Sequence, residues 1–405
     1  MSATPSVLLL RAPETIRARC QSVLGAGTRG ALTHFHVDMA KLDDVARFTA
    51  AITKERYPSL QIPPHSRFAH FDAEGVPRLE ALETAIAHAP PAERARVLAD
   101  VVIASVLLDA GAGARWRFHE PETQLAIGRS EGLAVASLAW VADGGLSSRR
   151  SAFHVDAAGL CAVTEAALAQ AFQVGPDNPL VGVAGRVHLL RALGATLAAR
   201  PDVFGPEGRL GAIVDALVAR ADGGGVLPAR CILALLLDAL APIWPGRLTL
   251  DGMPLGDVWR HPHAGGEGAT AGYVPFHKLS QWLSFSLLHP LRVAGLTITE
   301  LEGLTGLAEY RNGGLFIDFD VLTLKDPHAR AVAHEVGSEL VVEWRALTVA
   351  LLDWLAPMVC RELGVALTLP SVLEGGTWAA GRARARALRD DGGPPLSIVS
   401  DGTVF

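Results

Sequence analysis

Apolar residues recur every three or four positions through most of this chain, which is the period of helices with one buried face. Leu42, Val45, Ala46 and Phe48 open one such stretch, and Pro58 limits it. The same period predicts further helices at Leu79–His88, Glu93–Leu108, Thr164–Phe172, Gly185–Leu197, Leu210–Arg220, Arg230–Leu240, Phe276–Leu288, Ile298–Leu307 and, as one long helix, across Ala329–Leu363.

Strand patterns are few by comparison. Apolar and polar residues alternate at Leu315–Val321 and again at Leu396–Phe405. The fold class is therefore predicted to be mainly α and multi-helical, with a minor β element near 315–321 and at the C-terminus. The pattern fits one unit over 1–405 as well as a subdivision into 1–175 and 176–405.

The C-terminal tail carries apolar residues that are unfavourable in water, so it is predicted to dock on the helical body. Ser400–Thr403 has the composition of a turn, with Gly402 suited to positive φ. Such a tail either covers one wall of the active-site cleft or packs away from it.

Composition narrows the class of protein. Half of the 405 residues are apolar, 19% are charged and the net charge is −6, which is typical of a globular protein and argues against a nucleic-acid partner. The four cysteines are far apart, as expected of reduced thiols in a cytoplasmic protein. The longest apolar run, Cys231–Ile243, is too short for a membrane span.

The segment Pro275–Leu322 has the strongest chemical signal. Lys278 and Gln281 lie one helical turn apart, and so on one face. Further along come Glu309, Tyr310 and Arg311 in succession, followed by Asp318 and Asp320. Burying charges in this Leu-rich background is costly unless they pair or bind something. The segment is therefore predicted to form a binding or catalytic site.

Two histidine pairs have a spacing that is compatible with metal binding. His34 and His36 precede Asp38, and in a strand both imidazoles would face the same side. His261 and His263 share the same spacing in a Gly-rich segment. A metal site would need further ligands from elsewhere in the chain, so a local structural role is the alternative for each pair.

Two other motifs add residues to the predicted site. Asp109 precedes Gly111 and Gly113, which fits a helix ending there and pointing Asp109 toward a region lined by Trp116. Glu343 and Arg345 are two positions apart and cannot meet on one helix face. Each needs its own partner, either in the site or elsewhere.

The whole chain resembles the uracil catabolism protein 4 family. The motifs that carry the resemblance are IPPHSRFAHF (62–71), LLDAGAGARWRF (107–118), GRSEGLAVAS (128–137), NPLVGVAGRVHLLRALG (178–194), EYRNGGLFID (309–318), EGGTWAAGR (374–382) and SDGTVF (400–405). The family implies a place in a pyrimidine-degrading pathway with a ribosylurea-type intermediate, without fixing the reaction.

A more distant resemblance is to the queuosine salvage proteins, which are N-glycoside hydrolases with a helical, DNA-glycosylase-like architecture. Their Lys-x-x-Gln helix and Ala-Asp-Tyr-Arg segment are similar to Lys278–Gln281 and Ala308–Arg311 here, with Glu309 replacing Asp. Their Leu-Asp-Ala and Glu-x-Arg-Ala motifs resemble the stretches at Asp109 and at Glu343–Ala346. The resemblance implies a DNA-glycosylase-like helical body for this chain.

Together these features predict an N-ribosyl hydrolase that needs no metal or other cofactor. Its partner would be a small ribosyl substrate, with or without a 5′-phosphate, and urea or a related nitrogen compound would leave. Glu309 and Lys278 are the predicted catalytic residues, paired as an ion pair. The predicted substrate-binding residues are Asp109, Trp116, Gln281, Tyr310, Arg311, Asp318, Asp320 and Arg345.

Within that set, Asp109, Asp318 and Asp320 are predicted to hold the ribose hydroxyls, and Arg311 the phosphate. One alternative is a metal-dependent amidohydrolase that acts on a ureido group through His34, His36 and further ligands. The other is a non-catalytic subunit of the pathway.

Overall fold

The protein is described by a computed structural model covering residues 3–109, 111–244 and 247–399. Its architecture is mainly α, as the sequence predicts. The α-helices are α1 Pro5–Arg11, α2 Pro13–Thr28, α3 Leu42–Arg56, α4 Phe68–Phe71, α5 Arg78–Ala85, α6 Pro91–Leu107, α7 Arg129–Ala142, α8 Ala157–Cys161, α9 Glu165–Ala171, α10 Val183–Ala199, α11 Pro201–Phe204, α12 Ile213–Val218, α13 Ala229–Ala239, α14 Lys278–Val293, α15 Tyr310–Asp318, α16 Glu339–Leu363, α17 Leu369–Val372 and α18 Trp378–Leu388.

The strands are short and form separate two-stranded ladders. They are β1 Phe35–Val37, β2 Arg117–His119, β3 Ala126–Gly128, β4 Val226–Pro228, β5 Thr249–Leu250, β6 Met253–Pro254, β7 Val258–Arg260, β8 Tyr273–Pro275, β9 Thr297–Thr299, β10 Leu322–Leu324, β11 Ala333–Glu335 and β12 Ser397–Val399. β4 pairs with β9 and β11 with β12 in parallel, whereas β1–β10, β2–β3, β5–β6 and β7–β8 are antiparallel.

The helices pack around a large common core. α14 packs against α6 and α13, α16 packs against α2 and α3, and α15 packs against α18. One cluster of buried apolar residues runs from Ile16 to Leu396, so it includes residues on both sides of the predicted 175/176 subdivision. The described helices include none with the length and apolar content that crossing a membrane requires.

The predicted strand at 315–321 is wrong. Leu315–Asp318 is the second half of α15, and the strand β10 begins only at Leu322. The alternation was misleading because α15 is buried almost all round, so that Leu315, Phe316 and Ile317 are all in the core. Such a helix has no polar face to reveal its period.

The C-terminal strand prediction is confirmed as far as the described residues reach. Leu396 is 1% exposed, and β12 pairs with β11. The predicted turn Ser400–Thr403 and the rest of the tail to Phe405 lie outside the described residues.

Two predicted helices have different bounds in the structure. Ile298–Leu307 holds part of β9 and one 3₁₀ turn, followed by extended chain. The long helix begins at Glu339 rather than Ala329, because Ser338 caps it by accepting from the Val341 amide. The likeness to DNA-glycosylase architecture stays a prediction.

Candidate functional site

A cavity of about 380 Å³ lies where the N-termini of α14 and α15 approach the end of α6 and one side of α18. It collects polar, charged and aromatic side chains from distant parts of the chain. They are His65, His70, Asp109, Arg129, Ser130, Lys278, Trp282, Glu309, Tyr310, Arg311, Trp378, Arg382 and Asp391. The segment predicted from the sequence therefore contributes Lys278, Glu309, Tyr310 and Arg311 to a single cavity.

Lys278 is placed by the start of α14. His277 precedes it in the left-handed region with a φ of 47°, and Asp257 Oδ2 accepts a hydrogen bond from the Lys278 amide at 3.0 Å. Asp257 is in turn held by Arg345, whose two Nη atoms donate at 2.7 and 2.8 Å. Burial alone would raise the pKa of Asp257, but the charge and hydrogen bonds of Arg345 hold it well below its usual range.

Arg345 is thus not a substrate-binding residue of this cavity, contrary to the sequence prediction. It is 1% exposed, and its Nε also donates to the Ala308 carbonyl at 3.3 Å. Its contacts join the start of α14 to the irregular segment before Glu309. Arg345 therefore positions two catalytic candidates without touching the cavity.

The Lys278 ammonium faces the cavity unpaired. Within the described part of the chain, it makes no hydrogen bond and no ion pair within 4.0 Å. Burial lowers its pKa, and the nearby charges of Glu309 and Asp109 oppose that effect. The predicted direct ion pair with Glu309 is therefore not formed, although both residues face one cavity. An amine in a cavity with a pKa lowered by desolvation and no partner is a marker of a binding or catalytic site.

Glu309 is fixed as the N-cap of α15. Its two carboxylate oxygens accept from the backbone amides of Arg311 at 2.7 Å and Asn312 at 2.5 Å. Burial raises the pKa of Glu309, while these amides and the charge of Lys278 partly oppose the rise. The carboxylate consequently has one fixed orientation and a raised proton affinity.

The helix that carries this cap has no space to move. A Cβ at Gly313 would lie 2.7 Å from Thr348 Oγ1 on α16, and one at Gly381 on α18 would lie 2.2 Å from the Arg311 carbonyl oxygen. Only glycine permits these approaches. α15 is therefore clamped between α16 and α18.

Asp109 supplies a second carboxylate, as predicted. It follows α6 and accepts from Ser130 Oγ at 2.7 Å and from Arg67 Nη1 at 2.9 Å. Arg67 is fully buried, so this ion pair anchors Asp109 from behind while the carboxylate still lines the cavity.

Arginines gather at one side of the cavity. Arg311 lies 4.9 Å from the centre of the Tyr310 ring and donates to the Gly392 carbonyl at 2.8 Å. Arg129 donates to the Asp391 carbonyl at 3.1 Å, and Arg382 pairs with Glu131 at 2.6 Å. Burial, followed by the charge of Arg311, lowers the pKa of Arg129. Such a group of guanidinium ions attracts an anion.

Four further residues predicted for the site lie outside it. Trp116 is fully buried and donates from Nε1 to the Phe172 carbonyl at 2.8 Å. Gln281 is also fully buried and does not line the cavity. Asp318 accepts from both Nη atoms of Arg389, at 2.8 and 2.6 Å.

Asp320 is the fourth of these residues, exposed in a shallow depression beside Phe319 and Arg384. The two aspartates are misplaced for one reason. Because 315–318 is helical, α15 carries Asp318 about 13 Å along its axis from the Glu309 cap. In place of Asp318 itself, the cavity receives the chain after Arg389, including Asp391, Gly393 and Pro394.

A model of the DUF1688 family, described as proteins of unknown function, matches residues 9–405. This chain belongs to the DUF1688 family. "Uracil catabolism protein 4" of Lachancea kluyveri is 40% identical over 404 residues, covering 92% of each chain. "Protein urg3" of Schizosaccharomyces pombe is 39% identical over 416 residues, covering 100% of each. The resemblance to the uracil catabolism protein 4 family is therefore confirmed.

In this DUF1688 protein, the structure adds His65, His70, Trp282 and Trp378 to the predicted site residues. The His65 ring stacks on Trp282 with centroids 5.9 Å apart, and His70 lies 5.5 Å from both Trp282 and Trp378. The sequence motifs IPPHSRFAHF and EGGTWAAGR already contain three of the four, namely His65, His70 and Trp378. Nothing in the sequence indicated that these motifs meet.

The histidine pairs considered for a metal have other roles in the DUF1688 fold. β1 contains His36 but begins after His34, His36 is exposed, and no further ligands gather around the pair in the described ranges. His261 does lie near Glu339 and Glu343. However, its Nδ1 accepts from the His263 amide at 3.2 Å, which puts the proton on Nε2, 3.3 Å from Glu343.

That arrangement leaves His261 without a lone pair for a metal. Glu343 is also occupied, since its Oε1 accepts from the amides of His34 and Phe35 at 3.1 and 2.9 Å. As the spacing required, Glu343 and Arg345 have separate partners. The cluster is a hydrogen-bonded link between β1, α16 and the loop after β7.

A larger cavity of about 810 Å³ lies elsewhere, lined in part by Phe118 and Trp140. Its buried charges are Arg78 and Glu120, and these pair with each other at 2.6 Å. The smaller cavity is the better candidate for chemistry because it holds the ammonium of Lys278, which has no hydrogen bond or ion pair within the described ranges.

Proposed function

We propose that this protein is an N-ribosyl hydrolase of uracil catabolism, which cleaves the bond between ribose C1 and a nitrogen of urea or a related leaving group. The relatives' names support the pathway. The observation that carries the reaction is the half-buried ammonium of Lys278, unpaired within the described residues, in one cavity with the carboxylates of Glu309 and Asp109.

The chemistry requires a carboxylate beside C1. Breaking the C1–N bond leaves positive charge on the sugar, and water then adds at C1 to give ribose and urea. Glu309, fixed by two amides, can accept a proton from that water and stabilise the charge. Asp109 can accept hydrogen bonds from ribose hydroxyls, and the neighbouring Lys278 keeps Glu309 in its ionised form.

The arginines favour a phosphorylated substrate. Arg382 is paired with a carboxylate. Arg129 and Arg311 instead donate to the backbone carbonyls of Asp391 and Gly392, respectively. A 5′-phosphate would supply the anionic charge that Arg129 and Arg311 lack. We therefore expect ribosylurea 5′-phosphate to be turned over more efficiently than ribosylurea.

The deciding experiment measures urea release from ribosylurea and from its 5′-phosphate by the purified protein. We expect urea and the free sugar in equal amounts. Release of ammonia without urea would instead indicate attack on the ureido group, and metal analysis of the same sample would then test for a metal-dependent amidohydrolase. No turnover of either compound would favour the non-catalytic subunit.

The pH dependence of kcat/KM on the better substrate should be bell-shaped. Activity requires that Glu309 is ionised. Because burial raises the pKa of Glu309, we expect the acid limb to lie above the ordinary glutamate pKa of about 4.5. Burial lowers the pKa of Lys278, so the alkaline limb should lie below about 10.5. Because the two groups interact, the limbs report the pair. An acid limb that stays unchanged in Glu309→Gln would contradict the assignment.

A further inference from the structure

We propose that His65, oriented by Glu374, is the general acid that protonates the departing nitrogen. This inference rests on the proposed hydrolase and adds the second proton transfer that the reaction needs. His65 lines the cavity that holds Lys278 and Glu309, whereas Glu374 lies behind it. Under this proposal His65 is a catalytic residue and Glu374 is a positioning residue.

The contact between the two residues is short and buried. His65 Nδ1 lies 2.8 Å from Glu374 Oε2, and the side chains are 6% and 5% exposed. The other carboxylate oxygen of Glu374 accepts from Tyr57 Oη at 2.9 Å and lies 3.5 Å from Arg56 Nη2. Glu374 thus has partners on both oxygens and cannot turn away from His65.

The protonation state of Glu374 fixes the tautomer of His65. Burial would raise the pKa of Glu374, but the hydrogen bond and charge of His65, together with Arg56, lower it to about 2. An ionised carboxylate only accepts hydrogen bonds, so Nδ1 must donate. Nε2 is left to exchange a proton, and in the described ranges no protein group bonds to it. The same carboxylate compensates the positive charge of a doubly protonated ring.

His70 cannot take this role. Its Nδ1 lies 3.2 Å from both Arg67 Nη1 and Ser130 Oγ, and among the described residues no carboxylate hydrogen-bonds to its ring. Burial, followed by the charge of Arg67, lowers the pKa of His70 to about 3. His70 therefore stays neutral near pH 7. Of the two cavity histidines, only His65 is paired with a carboxylate.

The backbone around Glu374 is built for this contact. Residues Leu373–Thr377 form a π-helical turn, a feature found frequently at functional sites. Two glycines let this turn approach α3, since a Cβ at Gly376 would lie 2.4 Å from Thr53 Oγ1 and one at Gly375 would lie 3.0 Å from Thr53 Cγ2. The turn aims Glu374 at the loop that carries His65. The motif EGGTWAAGR thereby gains a chemical role.

Both proton transfers then balance. In the reactive state His65 is protonated on both nitrogens and Glu309 is ionised. As the C1–N bond breaks, its electron pair stays on nitrogen, and Nε2 donates its proton there to give urea, which leaves a neutral ring protonated on Nδ1. Water adds at C1 and gives its proton to Glu309. Exchange with solvent afterwards returns a proton to His65 and removes one from Glu309, so the net reaction consumes one water.

Leaving-group dependence tests the proposal. A nitrophenyl riboside has a leaving group that needs no proton, whereas urea does. We expect His65→Gln to slow urea release by about 100-fold but to change nitrophenol release by less than about fivefold. Glu374→Gln should show the same selectivity with a smaller loss, because the ring keeps its place but not its compensating charge. Imidazole added to His65→Gly should restore part of the urea release.

The controls separate this proposal from the one on which it rests. His289 contacts Glu83 at 2.8 Å on the surface, so His289→Gln is a matched histidine–glutamate control that should leave both rates unchanged. A wild-type protein that releases no urea refutes the hydrolase itself. If the wild-type protein releases urea but His65→Gln loses activity equally on both substrates, or loses none, only the proposed roles of His65 and Glu374 are refuted. If the wild-type protein does not hydrolyse the nitrophenyl riboside, the imidazole experiment decides: failure of imidazole to restore urea release in His65→Gly refutes the role of His65 as general acid.

Discussion

Glu309→Gln should reduce the turnover of ribosylurea or its 5′-phosphate by roughly 100-fold or more, the scale expected for loss of a catalytic base. Glutamine keeps the shape of the side chain, and its Oε1 can still accept from one of the two amides that Glu309 now holds. It removes the negative charge beside C1 and the site that takes the proton from water. The measurement is the rate of urea release at saturating substrate.

Stability must be followed in the same variant, because Glu309 also caps α15. Weakening a helix cap costs about 1 kcal/mol, which a folded protein of this size tolerates, so the melting curve should stay cooperative. Asp320→Asn is the matched control, since Asp320 is exposed away from the cavity and asparagine accepts its positive φ of 58°. Near-normal turnover by Glu309→Gln would end its assignment as the base.

Lys278→Met should lower turnover by about 100-fold while leaving the protein as stable as before, or more stable. An unpaired ammonium in a buried cavity is costly for the folded state, and a thioether of similar length removes that cost. The loss of activity follows because Glu309 would no longer have a neighbouring positive charge to keep it ionised. The measurements are kcat and the melting temperature.

The direction of the stability change is the decisive part of that result. If Lys278→Met instead destabilised the protein strongly and kept its turnover, the ammonium would be a structural group. A shift of the acid limb of the pH profile to higher pH in this variant would independently show that Lys278 influences Glu309.

The sequence predicted the helical class and one end of the cavity because both rest on local patterns. Lys278 and the Glu309–Arg311 triplet fall within one segment, and charges in a Leu-rich context mark such a segment. Asp318 was misassigned because a helix buried on all sides shows no period. Arg345 was misassigned because its partner Asp257 lies 88 positions away.

The histidine end of the cavity was out of reach for the same reason. His65 and Glu374 are 309 positions apart, and the residues next to each in the sequence do not indicate a catalytic role. Their proximity depends on the π-helical turn at 373–377 and on two glycines that admit α3. Backbone features of this kind arise from tertiary packing, which a single sequence does not show.

The clamped position of α15 has a consequence for protein engineering. Gly313 and Gly381 leave no room for a methyl group between α15 and its neighbours, so replacing either glycine would displace α15 and with it the Glu309 cap. Trp378, which is only half-buried, tolerates replacement more readily. Attempts to change the nitrogen compound that this protein releases should therefore vary the residue at Trp378 and keep both glycines.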